Sequence, residues 1–121
     1  MTFPLNVNHR MMIDLIIPPN VGSLKELRKI LAFRERLKPD DETASEIDMA
    51  AIMDPDSGNM LPHWNRQKAA ELGVEDFEMS DEEVGYVGEG LALMIARNSL
   101  NTRDQTFLYV LDLFEEHIPD D

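Results

Sequence analysis

Ser23-Leu24-Lys25-Glu26-Leu27-Arg28-Lys29-Ile30-Leu31-Ala32-Phe33-Arg34-Glu35-Arg36-Leu37-Lys38 reads as one amphipathic helix. Ser23 to Glu26 form a capping box: the Ser hydroxyl can accept the Glu26 amide proton, and the Glu side chain can reach back. Pro39 disfavours helical geometry in the residue before it, so the helix should end at Lys38. At roughly 100° per residue, Leu24, Leu27, Ile30, Leu31, Phe33 and Leu37 cover one half of the wheel. Lys25, Arg28, Lys29 and Arg36 crowd the other half, and this helix holds most of the basic charge.

Towards the N-terminus, Met11, Met12, Leu15 and Ile16 recur at helical spacing. Asn6 or Asn8 can cap that helix, which runs to about Ile17. Pro18-Pro19 stops it and Asn20-Val21-Gly22 turns the chain. Towards the C-terminus, Asp40 or Asp41 can cap a third helix starting at Glu42, where acids suit a helix N-terminus. Its end is open. Ile47, Met49, Ala51 and Met53 alternate like a strand, while Ala, Met and Glu favour helix. Asp54-Pro55-Asp56-Ser57-Gly58-Asn59 is a turn, and Pro62 restricts Met60–Trp64 to an edge strand. The pair suggests a short hairpin around the turn.

Gln67 to Leu72 has helical character, and Gly73 can end it. Val74 to Met79 alternates apolar and acidic residues, as a strand does. Ser80-Asp81-Glu82-Glu83 is a second capping box, opening a helix to about Asn98. Val84, Val87, Leu91, Met94 and Ile95 make its large apolar stripe, with Gly85, Gly88, Ala92 and Ala96 beside them. Helical Gly costs about 1 kcal/mol relative to Ala, which close approach of another backbone would explain. A ligand or partner lying across the smooth strip is the alternative. Thr102-Arg103-Asp104-Gln105 reads as a third capping box. Phe107, Val110, Leu111, Phe114 and Ile118 share a face of the helix it opens; Pro119 ends that helix and Asp120-Asp121 should fray.

Charge divides the chain. Residues 1–38 carry seven Lys/Arg against three Asp/Glu; residues 39–121 carry four against 21. The net charge of −13 repels phosphate, so direct nucleic-acid binding is disfavoured. A polyanion can instead meet basic partners or imitate the charge of nucleic acid; solubility is the plainer use of such a surface. The densest acidic cluster is Glu75, Asp76, Glu78, Asp81, Glu82 and Glu83. A solvated helix N-terminus explains part of it. The basic set Lys25, Arg28, Lys29 and Arg36 could track phosphates, or could pair with the protein's own acids or a second copy's. No aromatic is interleaved with it, so base stacking has no support.

Catalytic chemistry finds little footing. With no Cys there is no disulfide, thiolate metal site or Cys nucleophile. His9, His63 and His117 share no helical turn, and no His-x-x-x-His or Glu-x-x-His spacing exists. His63, beside Trp64 and near the turn, is the histidine to watch. The Asp54–Asn59 turn fails as a calcium loop: its Gly falls fifth and the twelfth position is Asn65. Gly85-Tyr86-Val87-Gly88-Glu89-Gly90 lacks a Lys and lies inside a helix rather than before one. No cofactor is implied. Met11 to Ile17 is too short and too broken by Asp14 for a signal peptide or membrane span, so a cytoplasmic protein is expected.

The order His9-Arg10, Leu15-Ile16, Pro19, Gly22-Ser23-Leu24, Leu27, Ile30-Leu31, then an acidic helix start, a turn and Trp64-Asn65, resembles small helical proteins encoded by tailed phages. The resemblance covers residues 3–65. Those proteins are mostly without assigned activity, so no catalytic residue carries over. It implies a viral accessory role in the host cytoplasm.

The expected fold is a mainly α single domain over residues 1–121 with about four helices, α+β if residues 47–65 close a hairpin. The expected function is a non-enzymatic protein-binding accessory factor acting through acidic surface. The alternative is a self-assembling structural protein that sets its basic helix against an acidic surface of another copy.

Overall fold

Side-chain caps decide where the helices begin. The computed structural model of the chain describes residues 1–119. Asn6 accepts from the His9 amide and opens α1 (Val7–Ile16); the His9 ring accepts the Asn6 amide in return. Ser23 accepts from Glu26 at the start of α2 (Leu24–Leu37), but the Glu26 side chain does not reach back, so only half of the expected box forms. Asp40 caps α3 (Asp41–Glu46) and Asn65 caps α4 (Arg66–Glu71). Ser80 and Glu83 close a reciprocal box on α5 (Asp81–Ala96). For α6 (Gln105–Phe114) the cap is Asp104, whose carboxylate takes the amides of Thr106 and Phe107. The box read from Thr102 is therefore displaced: an Asp two residues on offers its carboxylate to two amides at once. One 3-10 turn, Glu115–His117, follows. Asp120 and Asp121, expected to fray, lie outside the described residues.

Among the described residues, four short strands complete the order: β1 (Thr2–Leu5), β2 (Ala50–Met53), β3 (Met60–His63) and β4 (Glu75–Glu78). β1 pairs antiparallel with β4, setting Phe3 opposite Phe77 and Pro4 opposite Asp76. β2 pairs antiparallel with β3, setting Ile52 opposite Leu61 and Met53 opposite Met60. The fold is mainly α, as expected, and the hairpin closes within residues 47–65. Among the described residues the α-helices number six rather than about four, because α3 and α4 each carry a cap of their own. Gly73, at φ 82°, ends α4 and releases the chain into β4.

The main core gathers Phe3 and Leu5 from β1, Ile13 and Ile16 from α1, and Phe33 and Leu37 from α2. Val87 and Leu91 of α5 and Phe107, Val110 and Phe114 of α6 close it. Phe3 stacks on Phe114 with ring centroids 4.4 Å apart. A satellite cluster of Val7, Met11, Ile47 and Ala69 ties α3 and α4 to α1, with Met49 and Trp64 against it. The Trp64 indole N–H donates to Asn8 Oδ1 at 2.7 Å, and the Asn65 amide to the Ile47 carbonyl at 2.7 Å. These bonds fix the root of the β2–β3 hairpin.

Gly88 packs on the carbonyl of His117 and Gly90 on the carbonyl of Ile16, so closely that a Cβ at either would overlap backbone. Close backbone approach accounts for Gly88 in the small-residue stripe. It does not account for Gly85, which faces open space.

Candidate interaction surfaces

The basic and acidic sets meet inside the molecule. Lys29 Nζ bonds Glu82 Oε2 at 2.6 Å, which lowers the Glu82 pKa and raises that of Lys29. Arg36 Nη1 spans both carboxylate oxygens of Glu83 at 2.8 and 2.6 Å. Its second nitrogen donates to the Glu78 carbonyl, and its guanidinium lies 5.1 Å from the Phe77 ring centre. Arg36 thus joins the end of α2 to β4 and to the first turn of α5. Glu83 serves Arg36 and the Ser80 cap together.

Arg10 reinforces the same corner. It donates to the carbonyls of Arg36 and Lys38 at 2.9 and 2.8 Å and covers the other approach to Phe77. Burial lowers its pKa, and Glu75 and Asp40 partly restore it. Arg34 binds Asp14 at 2.7 Å across α1 and α2, which raises the Arg34 pKa.

Among the acidic residues singled out, Glu82 and Glu83 therefore have cationic partners within the chain. Glu75 and Asp76 lie exposed on β4, and Asp81 lies exposed at the start of α5. Glu78 contributes its carbonyl to Arg36. Among the basic residues, Lys29 and Arg36 are paired. Lys25 and Arg28 stand exposed on α2 and form no salt bridge among the described residues.

Two apolar surfaces escaped the sequence reading. The first is the β2–β3 arm. All eight of its strand residues are exposed, so neither face is covered. Met53 and Met60 stand on one face and Ile52 and Leu61 on the other, since side chains alternate along a strand. The signal was present in the sequence: Ala50-Ala51-Ile52-Met53 contains no polar residue, so the strand has no side made for water.

The second surface lies on α2. Only Ile30, Phe33 and Leu37 of its apolar residues are buried. Leu24, Leu27 and Leu31 stay exposed, although the wheel placed all six together. With Leu15 in the last turn of α1 and Ile17, Pro18, Pro19 and Val21 beyond it, Leu27, Ile30 and Leu31 line a groove of about 250 Å³, bordered by the Asp14–Arg34 pair. That falls below the roughly 300–1,000 Å³ of small-molecule sites and suits a few side chains rather than a cofactor.

No catalytic constellation emerges from the histidines. The His9 ring is buried, stacked on Tyr109 at 3.9 Å and engaged with the Asn6 amide, which makes it a capping group. His63 is exposed on β3, opposite Ala50. His117 lies in the 3-10 turn at 3.4 Å from Glu116. Among the described residues, no group of three or more His, Asp or Glu is placed to hold a metal ion, and no helix is long and apolar enough to cross a membrane. Compared with family models, curated proteins and solved structures, the chain matches none.

Proposed function

We propose that this is a non-enzymatic protein-binding accessory factor whose contact element is the β2–β3 arm, backed by an acidic surface. The supporting observation is the arm itself, exposed on both faces yet built of Ala, Ile, Met, Leu and Pro apart from His63. An isolated two-stranded hairpin is marginal in water, and contiguous exposed apolar surface marks interaction sites. The acids set the sign of the partner. Five Lys/Arg–carboxylate pairs form among the described residues, against 24 acids in the chain. A partner with an apolar seat and a basic rim fits that surface, and nucleic acid itself does not. A phage-encoded role in the host cytoplasm fits the resemblance of residues 3–65.

A photo-crosslinking amino acid at Leu61 tests this reading in cells that make the protein. A discrete adduct is expected, and it should disappear when Ile52→Asp and Met60→Asp are added. Those changes touch exposed residues only, so the melting temperature should hold. No adduct, or one indifferent to the arm substitutions, removes the arm as the contact element. The adduct's mass also separates a second copy of the 13.8 kDa chain from a different protein.

A further inference from the structure

We infer that the arm of one molecule seats in the α1–α2 groove of a second copy, so that the chain assembles head to tail. The inference rests on the arm being a contact element and names its partner. Two observations carry it: one chain displays both an apolar arm without cover and an apolar groove without an occupant, and their flanking charges are opposite.

The groove is open to solvent: Leu15 is 78% exposed and Leu31 50%. Its α2 wall is Leu27, Ile30, Leu31 and Arg34, and the exposed Leu24 continues the Leu27-Leu31 stripe beyond it. Arg28 lies one turn from both Leu24 and Leu31 and has no acid partner among the described residues. The other cations, Lys25, Lys29 and Arg36, lie on the flank of α2 that faces α5, where Lys29 and Arg36 bind Glu82 and Glu83 and Lys25 lies near Glu82.

The arm ends in acid. The Asp54 carboxylate accepts the Asp56 amide at 3.0 Å and the Ser57 hydroxyl at 3.0 Å, which shapes the turn. Neither Asp54 nor Asp56 meets a cation within the described chain. Apolar strands behind an acidic tip match an apolar groove beside Arg28, whose own lining charges, Asp14 and Arg34, neutralise each other. Because donor and acceptor are different patches, the contact is heterologous. It leaves one free arm and one free groove on each pair, and continues as a ring or a filament.

Light scattering on the full chain tests it. At about 100 μM, above the micromolar Kd of a weak standard-sized interface, the mass should exceed the monomer's and rise with concentration. The groove variant Leu31→Asp and the arm variant Ile52→Asp/Leu61→Asp should each be monomeric. Mixed in equal amounts they should give a 1:1 dimer that grows no further, because each supplies the half the other lacks. Circular dichroism melts confirm that both variants are folded. Arg28→Glu should weaken association about tenfold, roughly 1.4 kcal/mol, and adding Asp56→Lys, which leaves the Asp54 carboxylate to hold the turn, should restore it. A wild-type monomer at that concentration overturns the inference, as do variants that stay assembled or a mixture that stays monomeric. A wild-type monomer whose Leu61 crosslink yields an adduct of foreign mass overturns the inference alone and leaves the arm as a contact element.

Discussion

His9 carries two tasks at one position. Its Nδ1 accepts the Asn6 amide at 3.0 Å, and its ring is stacked on Tyr109. Burial lowers its pKa below the ordinary 6.5. The folded state therefore favours the neutral imidazole more than the unfolded chain does. The stability this gives is complete above pH 6.5 and is lost as pH falls through the lowered value. Protonation also removes the acceptor at Nδ1. The melting temperature should thus hold above pH 6.5 and fall as the pH drops below it, before the ordinary carboxylate range is reached. His9→Gln keeps a side chain able to close the capping box and cannot titrate. Thermal melts of this variant should show a flatter pH dependence. An unchanged slope would show that another group sets it. The sequence offered Asn6 or Asn8 as the cap, and the structure takes Asn6 with His9 closing the box. The Tyr109 platform comes from 100 residues away and could not be read.

At the scale of elements, α5 separates what small residues do. Gly85 faces open space, so Gly85→Ala should stabilise by about 1 kcal/mol through helix propensity alone. At Gly88 and Gly90 an added Cβ meets the carbonyls of His117 and Ile16. Gly88→Ala and Gly90→Ala should destabilise by about 1–3 kcal/mol, as overpacking does. Urea titrations should move the midpoints in opposite directions. A Gly88→Ala variant more stable than the parent would show that the turn after α6 does not rest on α5. The sequence pointed to a close approach along Gly85, Gly88, Ala92 and Ala96, and Gly88 fulfils it. Gly90 lies off that stripe and was not suspected. Composition shows where a backbone can come close, and only packing shows where one does.

Over the whole molecule, repulsion among the acids opposes compactness. The chain carries −13 net, with five Lys/Arg–carboxylate pairs among the described residues. Exposed pairs contribute little, typically about 0–1 kcal/mol each. Salt shortens the screening length from about 10 Å at 0.1 M to about 3 Å at 1 M. Repulsion spread over many acids should lose more than the few close pairs do. The melting temperature should therefore rise with sodium chloride over that range. A falling melting temperature would mean that the Lys29–Glu82 and Arg36–Glu83 contacts outweigh the repulsion.

The sequence by itself determined the helix starts at Ser23 and Ser80, the end of α4 at Gly73 and the hairpin turn at Asp54–Asn59. Caps, prolines and turn residues act over three or four positions, so their physics is complete within a short window. It also determined that the basic residues concentrate on α2. Tertiary structure alone decided that Thr2–Leu5 is a strand, because its ladder partner, Glu75–Glu78, lies 70 residues on. It decided that Lys29 and Arg36 find acids on α5 while Lys25 and Arg28 do not. It also left Leu24, Leu27 and Leu31 uncovered and the hairpin bare on both sides. A helical wheel ranks faces by polarity, but burial depends on how many neighbours arrive. Here α2 meets a core wide enough for Ile30, Phe33 and Leu37 only.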